Sequence, residues 1–265
     1  MGTIEENKKI WNNEYTWPID GDEWSSAWGG SKSQWHAMIY PRIHKYIEQH
    51  NVFMLEIAPG YGRWTNFLKD FSTKLDIVDL SDNCINACQK RFEKDTNIEY
   101  HINDGKSLEM IQDDSLDFIF SMDSLVHVEI DVIEEYIRQI AKKLKTNGVA
   151  FIHHSNLGEY EKEYEFINEI PQEYRAILLN KMFLNSIHWR ALSVSAEKFN
   201  TILEKYNLQC ISQEIVNWGT DALLNDCFSI FTTKDSKYAR DNIIFRNTNF
   251  MQEALLIKNR SKLYL

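Results

Sequence analysis

The chain has 265 residues, 43% hydrophobic and 26% charged, with a mean hydropathy of -0.44. At roughly 150 residues per domain this is one or two domains of ordinary globular composition, which excludes disordered, collagen-like and membrane-embedded classes. Asp and Glu outnumber Lys and Arg by 39 to 29, a formal net charge of -10. The basic footprint that phosphate backbones demand is missing, so nucleic acid is not an expected partner.

No apolar run approaches the roughly 20 residues of a spanning helix, and Met1-Gly2-Thr3-Ile4-Glu5-Glu6 lacks a basic region followed by an apolar stretch. A cytoplasmic location without membrane insertion is expected. Gly2 lacks the Ser or Thr that myristoylation needs, since Glu6 stands there, and Lys262-Leu263-Tyr264-Leu265 has no prenylation Cys. Cys84, Cys88, Cys210 and Cys227 form no C-x-x-C pair and have no zinc-site spacing with His. They read as reduced core thiols, and no metal site is expected.

Five tryptophans, Trp11, Trp17, Trp24, Trp28 and Trp35, fall in the first 35 residues among Gly21, Gly29 and Gly30. They mark residues 1–50 as a Trp-rich N-terminal cap, ending in a helical pattern around Ile39, Ile43, Tyr46 and Ile47. From Val52 short apolar runs alternate with amphipathic stretches, the pattern of βα units around a parallel sheet. The predicted strands are Val52 to Ile57, Leu75 to Asp79, Ile98 to Ile102, Leu116 to Ser121 and Val149 to His153. Asp131 with Glu134 three residues on predicts a capped helix with Ile133, Tyr136, Ile137, Ile140 and Leu144 as its apolar stripe. Residues 157–190 are too long for an ordinary loop and read as a lid or acceptor-binding insertion. Ser195 caps a further predicted helix. Cys210 to Trp218 and Cys227 to Thr233 then pair as a hairpin, closing a domain over 51–233. Residues 234–265 are left as a tail whose amphipathic piece (Phe250, Ala254, Leu255, Ile257) either docks a partner, such as a second copy in a homodimer, or packs on its own domain.

The most informative stretch is Leu55-Glu56-Ile57-Ala58-Pro59-Gly60-Tyr61-Gly62-Arg63, where the first strand turns into a helix. Small residues at 58, 60 and 62 let the backbone approach a ligand, and Asp79 at the end of the second strand is placed to accept from a ribose diol. A dinucleotide-binding reading fails at its third glycine, because that position is Thr65. A Walker loop fails because no G-K-[ST] follows.

Glu56-x-Ala58-x-Gly60-x-Gly62 resembles the first motif of the class I S-adenosylmethionine-dependent methyltransferases, with Ala58 in place of the first glycine. The resemblance continues through Asp117-Phe118-Ile119-Phe120-Ser121 and Leu144-Lys145-Thr146-Asn147-Gly148, and covers about residues 50 to 233. It implies an α/β fold: a Rossmann-like seven-stranded sheet, mostly parallel with a C-terminal antiparallel hairpin, and helices on both faces. It also implies S-adenosyl-L-methionine as cofactor. Glu56, Ala58, Gly60 and Gly62 would hold the methionine moiety, Asp79 the ribose hydroxyls and Asp104 the adenine amino group. Leu80, Gly105, Ser121 and Met122 lie beside them at the strand ends.

Methyl transfer from a sulfonium gains much from alignment in a closed site, and a hydroxyl acceptor also needs a base. Strand four ends in Ser121-Met122-Asp123-Ser124-Leu125-Val126-His127-Val128-Glu129, and strand five in Ile152-His153-His154-Ser155-Asn156. His127 and His154 are the candidate bases, with Asp123 to orient an imidazole, bind the acceptor or, with Glu129 and the histidines, ligate a divalent ion. His153 and His154 point to opposite faces of a strand, so at most one faces the acceptor. Trp28, His153, Trp189 and Arg190 are candidate acceptor contacts. The Trp cluster either closes over the site or forms an aromatic subcore, and the cations around His188-Trp189-Arg190 either meet a phosphate or carboxylate or are simply solvated.

The segments Asp123 to Glu129, His153 to Asn156, His188 to Ala191 and Asn225 to Ser229 resemble methyltransferases encoded in bacterial capsule and lipopolysaccharide clusters. That resemblance implies O-methylation of a sugar hydroxyl, on a nucleotide-linked sugar or surface-polysaccharide precursor. Methylation of a small amine or phosphoryl oxygen is the alternative, and a non-catalytic cofactor-binding scaffold is a third.

Overall fold

The computed structural model describes residues 3–49, 51–181, 190–220 and 223–264. The apolar runs form eight strands: β1 (Phe53–Ile57), β2 (Lys74–Asp79), β3 (Ile98–Ile102), β4 (Leu116–Ser121), β5 (Leu144–Ser155), β6 (Leu208–Val216), β7 (Asp226–Thr233) and β8 (Ile243–Asn247). They make one sheet in the order β3-β2-β1-β4-β5-β7-β6-β8. Strands β1 to β5 pair in parallel, β7 runs antiparallel to both β5 and β6, and β8 is parallel to β6. The sheet thus has eight strands rather than the expected seven. The extra one is Ile243-Ile244-Phe245, an apolar run too short to show a period, in the segment expected to be a tail.

Side-chain alternation divides the core. Met54, Phe118, Phe120, Phe151 and Phe228 face one way, against Trp28, Trp35, Ile39 and Ile43 of the N-terminal segment and Phe250 of the C-terminal helix Phe250–Tyr264. Leu55, Ile57, Ile119, Ala150 and Ile152 face the other, under helices Ile130–Lys143 and Ala196–Lys205. Phe151 stacks on Phe120 at 5.5 Å and lies 5.7 Å from Phe228. Each fully buried Phe of this stack contributes about 2 kcal/mol of burial.

Ser195 caps its helix, as expected, by accepting from the Lys198 N–H at 3.2 Å. The preceding helix starts two residues earlier than Asp131 predicts. Glu129 is its N-cap because Ser193 ties that end down, accepting from the Ile130 N–H at 3.0 Å and donating to the Glu129 carboxylate. The insertion contains helices Glu161–Glu169 and Gln172–Lys181. No described helix is long and apolar enough to cross a membrane. The four cysteines are buried and unbridged.

Candidate active site

The chain order reverses at β1, which lies between β2 and β4, and open α/β sheets bind ligands at the carboxyl ends of the strands beside such a point. A cavity of about 260 Å³ sits there. Ala58, Asp79, Leu80, Gly105, Met122 and Asp123 line it from the ends of β1 to β4, with Asn7, Trp11, Trp17 and Trp24 from the N-terminal segment.

On one side, the turn after β1 alternates left-handed residues: Ala58 (φ +57°), Gly60 (φ +57°) and Gly62 (φ +82°). A Cβ at Gly60 would come within 2.8 Å of the Trp17 ring, and one at Gly62 within 2.5 Å of Phe92, so neither position accommodates a side chain. The Ala58 N–H bonds the Val78 carbonyl at 2.7 Å, and the Ser121 and Ser124 hydroxyls donate to the carbonyls of Ile57 and Ala58 at 3.0 and 2.9 Å. Asp79 closes this side, accepting from the backbone N–H groups of Gly60 (3.2 Å) and Ser81 (2.9 Å). Burial pushes its carboxyl up to about 6. Behind the turn, Glu56 is fully buried, accepts from the Thr65 hydroxyl at 2.5 Å, and is pushed up to about 8, again by burial.

The opposite side is aromatic and charged. Trp11 lies 5.8 Å from Trp17 and 5.7 Å from the His127 imidazole, and Tyr15 lies 5.2 Å from Trp24. Trp17 stacks on Tyr61 at 4.7 Å, which anchors the N-terminal segment over the turn after β1. Asp123 has a left-handed backbone (φ +63°) and its carboxylate meets the Arg63 guanidinium at 3.0 Å. Trp64, Arg190 and Trp218 complete this wall. Among the described residues, the one metal-like cluster, Asp76, Glu99 and His101, lies away from the cavity, and Lys74 already occupies it at 3.2 Å from Asp76 and 2.9 Å from Glu99.

Residues 54–148 match the family described as a methyltransferase domain. Over those residues the chain is similar to methyltransferase domains. Solved structures that share the fold are described as SAM-dependent methyltransferases, with S-adenosylmethionine as their cofactor. The fold is shared with a Pyrococcus horikoshii protein (TM-score 0.56, 16% identity, 85% of this chain and 96% of that one). It is also shared with a SAM-dependent methyltransferase of Methanosarcina mazei (TM-score 0.52, 15% identity, 74% and 98%). Two curated Caenorhabditis elegans proteins match in sequence. Phosphoethanolamine N-methyltransferase 1 is 24% identical over 157 residues, 57% of this chain and 33% of that protein. Phosphoethanolamine N-methyltransferase 2 is 30% identical over 132 residues, 49% and 29%. The chain thus spans about a third of the length of these relatives.

Ala58, Gly60, Asp79, Leu80, Gly105, Met122, Asp123, His127 and Arg190 are brought together around the cavity. Other residues singled out from sequence are not. Glu56 and Gly62 lie behind the turn, Ser121 braces it, and Asp104 accepts from its own loop, the N–H groups of Lys106 and Ser107. His154 is displaced as a base: it is fully buried, stacks on Phe199 at 4.0 Å, and bonds the Ser155 carbonyl and the Ser229 hydroxyl at 2.8 Å each. Burial pushes it down to about 3, so it stays neutral. His153 does not line the cavity either, because β5 is covered on both faces. Trp28 is a core residue, 4.7 Å from Trp218 and 5.8 Å from Phe250. His188 and Trp189 lie outside the described residues. Arg63, Trp64, Tyr136 and Trp218 line the cavity without having been given a role from sequence; only Arg63, directly after Gly62, stood beside a usable signal.

Proposed function

We propose that the chain methylates the nitrogen of a small polar amine. The observation that carries this reading is a cavity lined by the indoles of Trp11, Trp17, Trp24 and Trp218, whose faces attract cations, together with the Asp123 carboxylate, which is ion-paired with Arg63. The names of the two Caenorhabditis elegans relatives support it. When bound, S-adenosylmethionine supplies an electrophilic methyl group on a sulfonium. The cavity fits this cofactor. Asp79 has two backbone donors on its carboxylate and remaining lone pairs for ribose hydroxyls, and Gly60 and Gly105 also line the cavity. Asp123 draws in the ammonium form and accepts the proton it sheds before its lone pair attacks. The aromatic wall keeps water from the reacting groups and fixes the approach.

His127 favours a second reading. Its imidazole lines the cavity against Trp11 and is placed to take a proton from a hydroxyl, as methylation of a sugar, nucleotide-linked or in a surface-polysaccharide precursor, would require. The test is release of S-adenosylhomocysteine from purified protein offered phosphoethanolamine, ethanolamine and nucleotide sugars, with the methylated product identified by mass. Turnover of amines supports the first reading. Turnover of sugars alone, abolished by His127→Ala, replaces it with the second.

A further inference from the structure

The amine reading leaves three buried ionisable groups beside the cavity unexplained. His153 lies on β5, Asp226 opens β7, and Arg190 ends the insertion; they are 0%, 0% and 6% exposed. Arg190 grips Asp226 through Nε, at 2.9 and 3.2 Å from its two oxygens, and through Nη2 at 2.7 Å from Oδ2. Burial alone would raise the Asp226 carboxyl, but the guanidinium outweighs it and holds the group well below the carboxylate range. Oδ2 therefore stays charged and accepts a hydrogen bond from His153 Nε2–H at 3.0 Å. With its proton on Nε2, the imidazole presents Nδ1 as an acceptor, and the backbone N–H of Asp123 donates to it at 3.1 Å.

Asp123 needs such a support. Its left-handed backbone costs about 1 kcal/mol in a residue with a Cβ, and strained residues persist where their surroundings over-determine them. A buried ion pair is a poor route to stability, since apolar residues of similar volume generally serve as well. A role in placing the residue next to it accounts for what stability does not.

We propose that Arg190, Asp226 and His153 form a positioning relay that sets the Asp123 turn, and with it the carboxylate offered to the acceptor. The last step rests on the amine reading; the setting of the turn does not. The aromatic neighbours of His153, Trp218 at 4.9 Å and Phe228 at 4.8 Å, make His153→Phe a suitable probe, because the ring stays and both polar contacts go. His153→Asn restores an acceptor near the Nδ1 position, and His153→Leu repeats the loss with a smaller side chain.

The experiment measures amide hydrogen exchange, S-adenosylhomocysteine affinity and methylation of phosphoethanolamine in each variant. In His153→Phe and His153→Leu the Asp123 amide exchanges at least about tenfold faster while the amides of Ile119 and Ala150 are unchanged. S-adenosylhomocysteine affinity stays within about twofold, and the KM for phosphoethanolamine rises about tenfold. His153→Asn recovers most of both effects. Unchanged exchange at Asp123 overturns the proposal. So does a uniform loss of protection across β4 and β5 with a parallel fall in S-adenosylhomocysteine affinity, which marks a merely structural histidine. If the unaltered protein methylates no amine, that failure belongs to the amine reading, and exchange at Asp123 still decides the relay.

Discussion

The two sides of the cavity are built by different means. The side formed by β1 and β2 comes from one short stretch, Glu56 to Gly62, and one strand end, Asp79, held by hydrogen bonds to its backbone from Val78, the Asp79 carboxylate and the Ser121 and Ser124 hydroxyls. The side facing it is assembled from Trp11, Trp24, Arg63, Asp123, Arg190 and Trp218, drawn from across the chain and held by ring contacts and ion pairs. A local, backbone-built surface suits a ligand common to many enzymes. One made of long-range side chains can be changed without touching it. If that division is real, the two sides should fail separately.

The largest effect is expected on the local side, from Gly62→Ala. The residue sits at φ +82° with Phe92 2.5 Å and Cys88 Sγ 3.2 Å from any added Cβ. Left-handed strain and overpacking together should destabilise the fold by about 4 kcal/mol. Denaturant unfolding measures this, and a change under about 1 kcal/mol would mean the turn is far more pliable than its contacts imply.

Glu56→Gln should come next, with a sign set by pH. The carboxyl is raised from 4.5 to about 8, so the folded state holds a proton that the unfolded chain has lost between those values. The stability this group contributes is complete below pH 4.5 and is lost as pH rises through 8. Gln carries no such proton, and its carbonyl can still accept from Thr65. The variant should therefore match the parent near pH 4.5 and exceed it by about 4 kcal/mol at pH 8. Unfolding at both pH values checks it; a constant difference would place Glu56 in a wetter setting than the one described.

How much could be read in advance follows the same division. Strands β1 to β5, the turn at Ala58 to Gly62 and Asp79 are legible because local spacing determines them. The histidines of β5 are not. Alternation puts His153 and His154 on opposite faces, but β5 lies between β4 and β7 with both faces covered, so neither direction leads to the cavity. The Trp cluster divides for a similar reason: Trp11, Trp17 and Trp24 reach the cavity while Trp28 and Trp35 enter the core, a choice made by the path of the N-terminal segment over the sheet and not by spacing. Strand β8 escaped because three apolar residues carry no period, and only the open edge of β6 gives them a partner.

On the assembled side, Asp123→Asn tests whether charge or shape matters. Asn tolerates the left-handed backbone and keeps the side-chain size, so the turn should survive while the carboxylate is lost. Methylation of an amine should fall about 30-fold in kcat/KM, near 2 kcal/mol, with S-adenosylhomocysteine affinity unchanged. A parallel fall in both would show that the two sides are not separable. An unchanged rate would remove the carboxylate from the acceptor's reception and favour the His127 reading.

The smallest effect is expected from Trp11→Ala, and its value lies in where it appears. Trp11 is only half-buried, 5.5 Å from Tyr15 and 5.7 Å from His127, so removing it opens the cavity wall without emptying the core. A cation facing an indole in a partly exposed site gains about 1 kcal/mol, which corresponds to roughly a fivefold rise in KM for an amine acceptor. A neutral sugar would lose ring contact instead of charge attraction, so raising salt should narrow the gap between variant and parent for an amine and leave it unchanged for a sugar. Measuring both KM values at low and high ionic strength therefore separates the two acceptor classes by the physics of the wall itself.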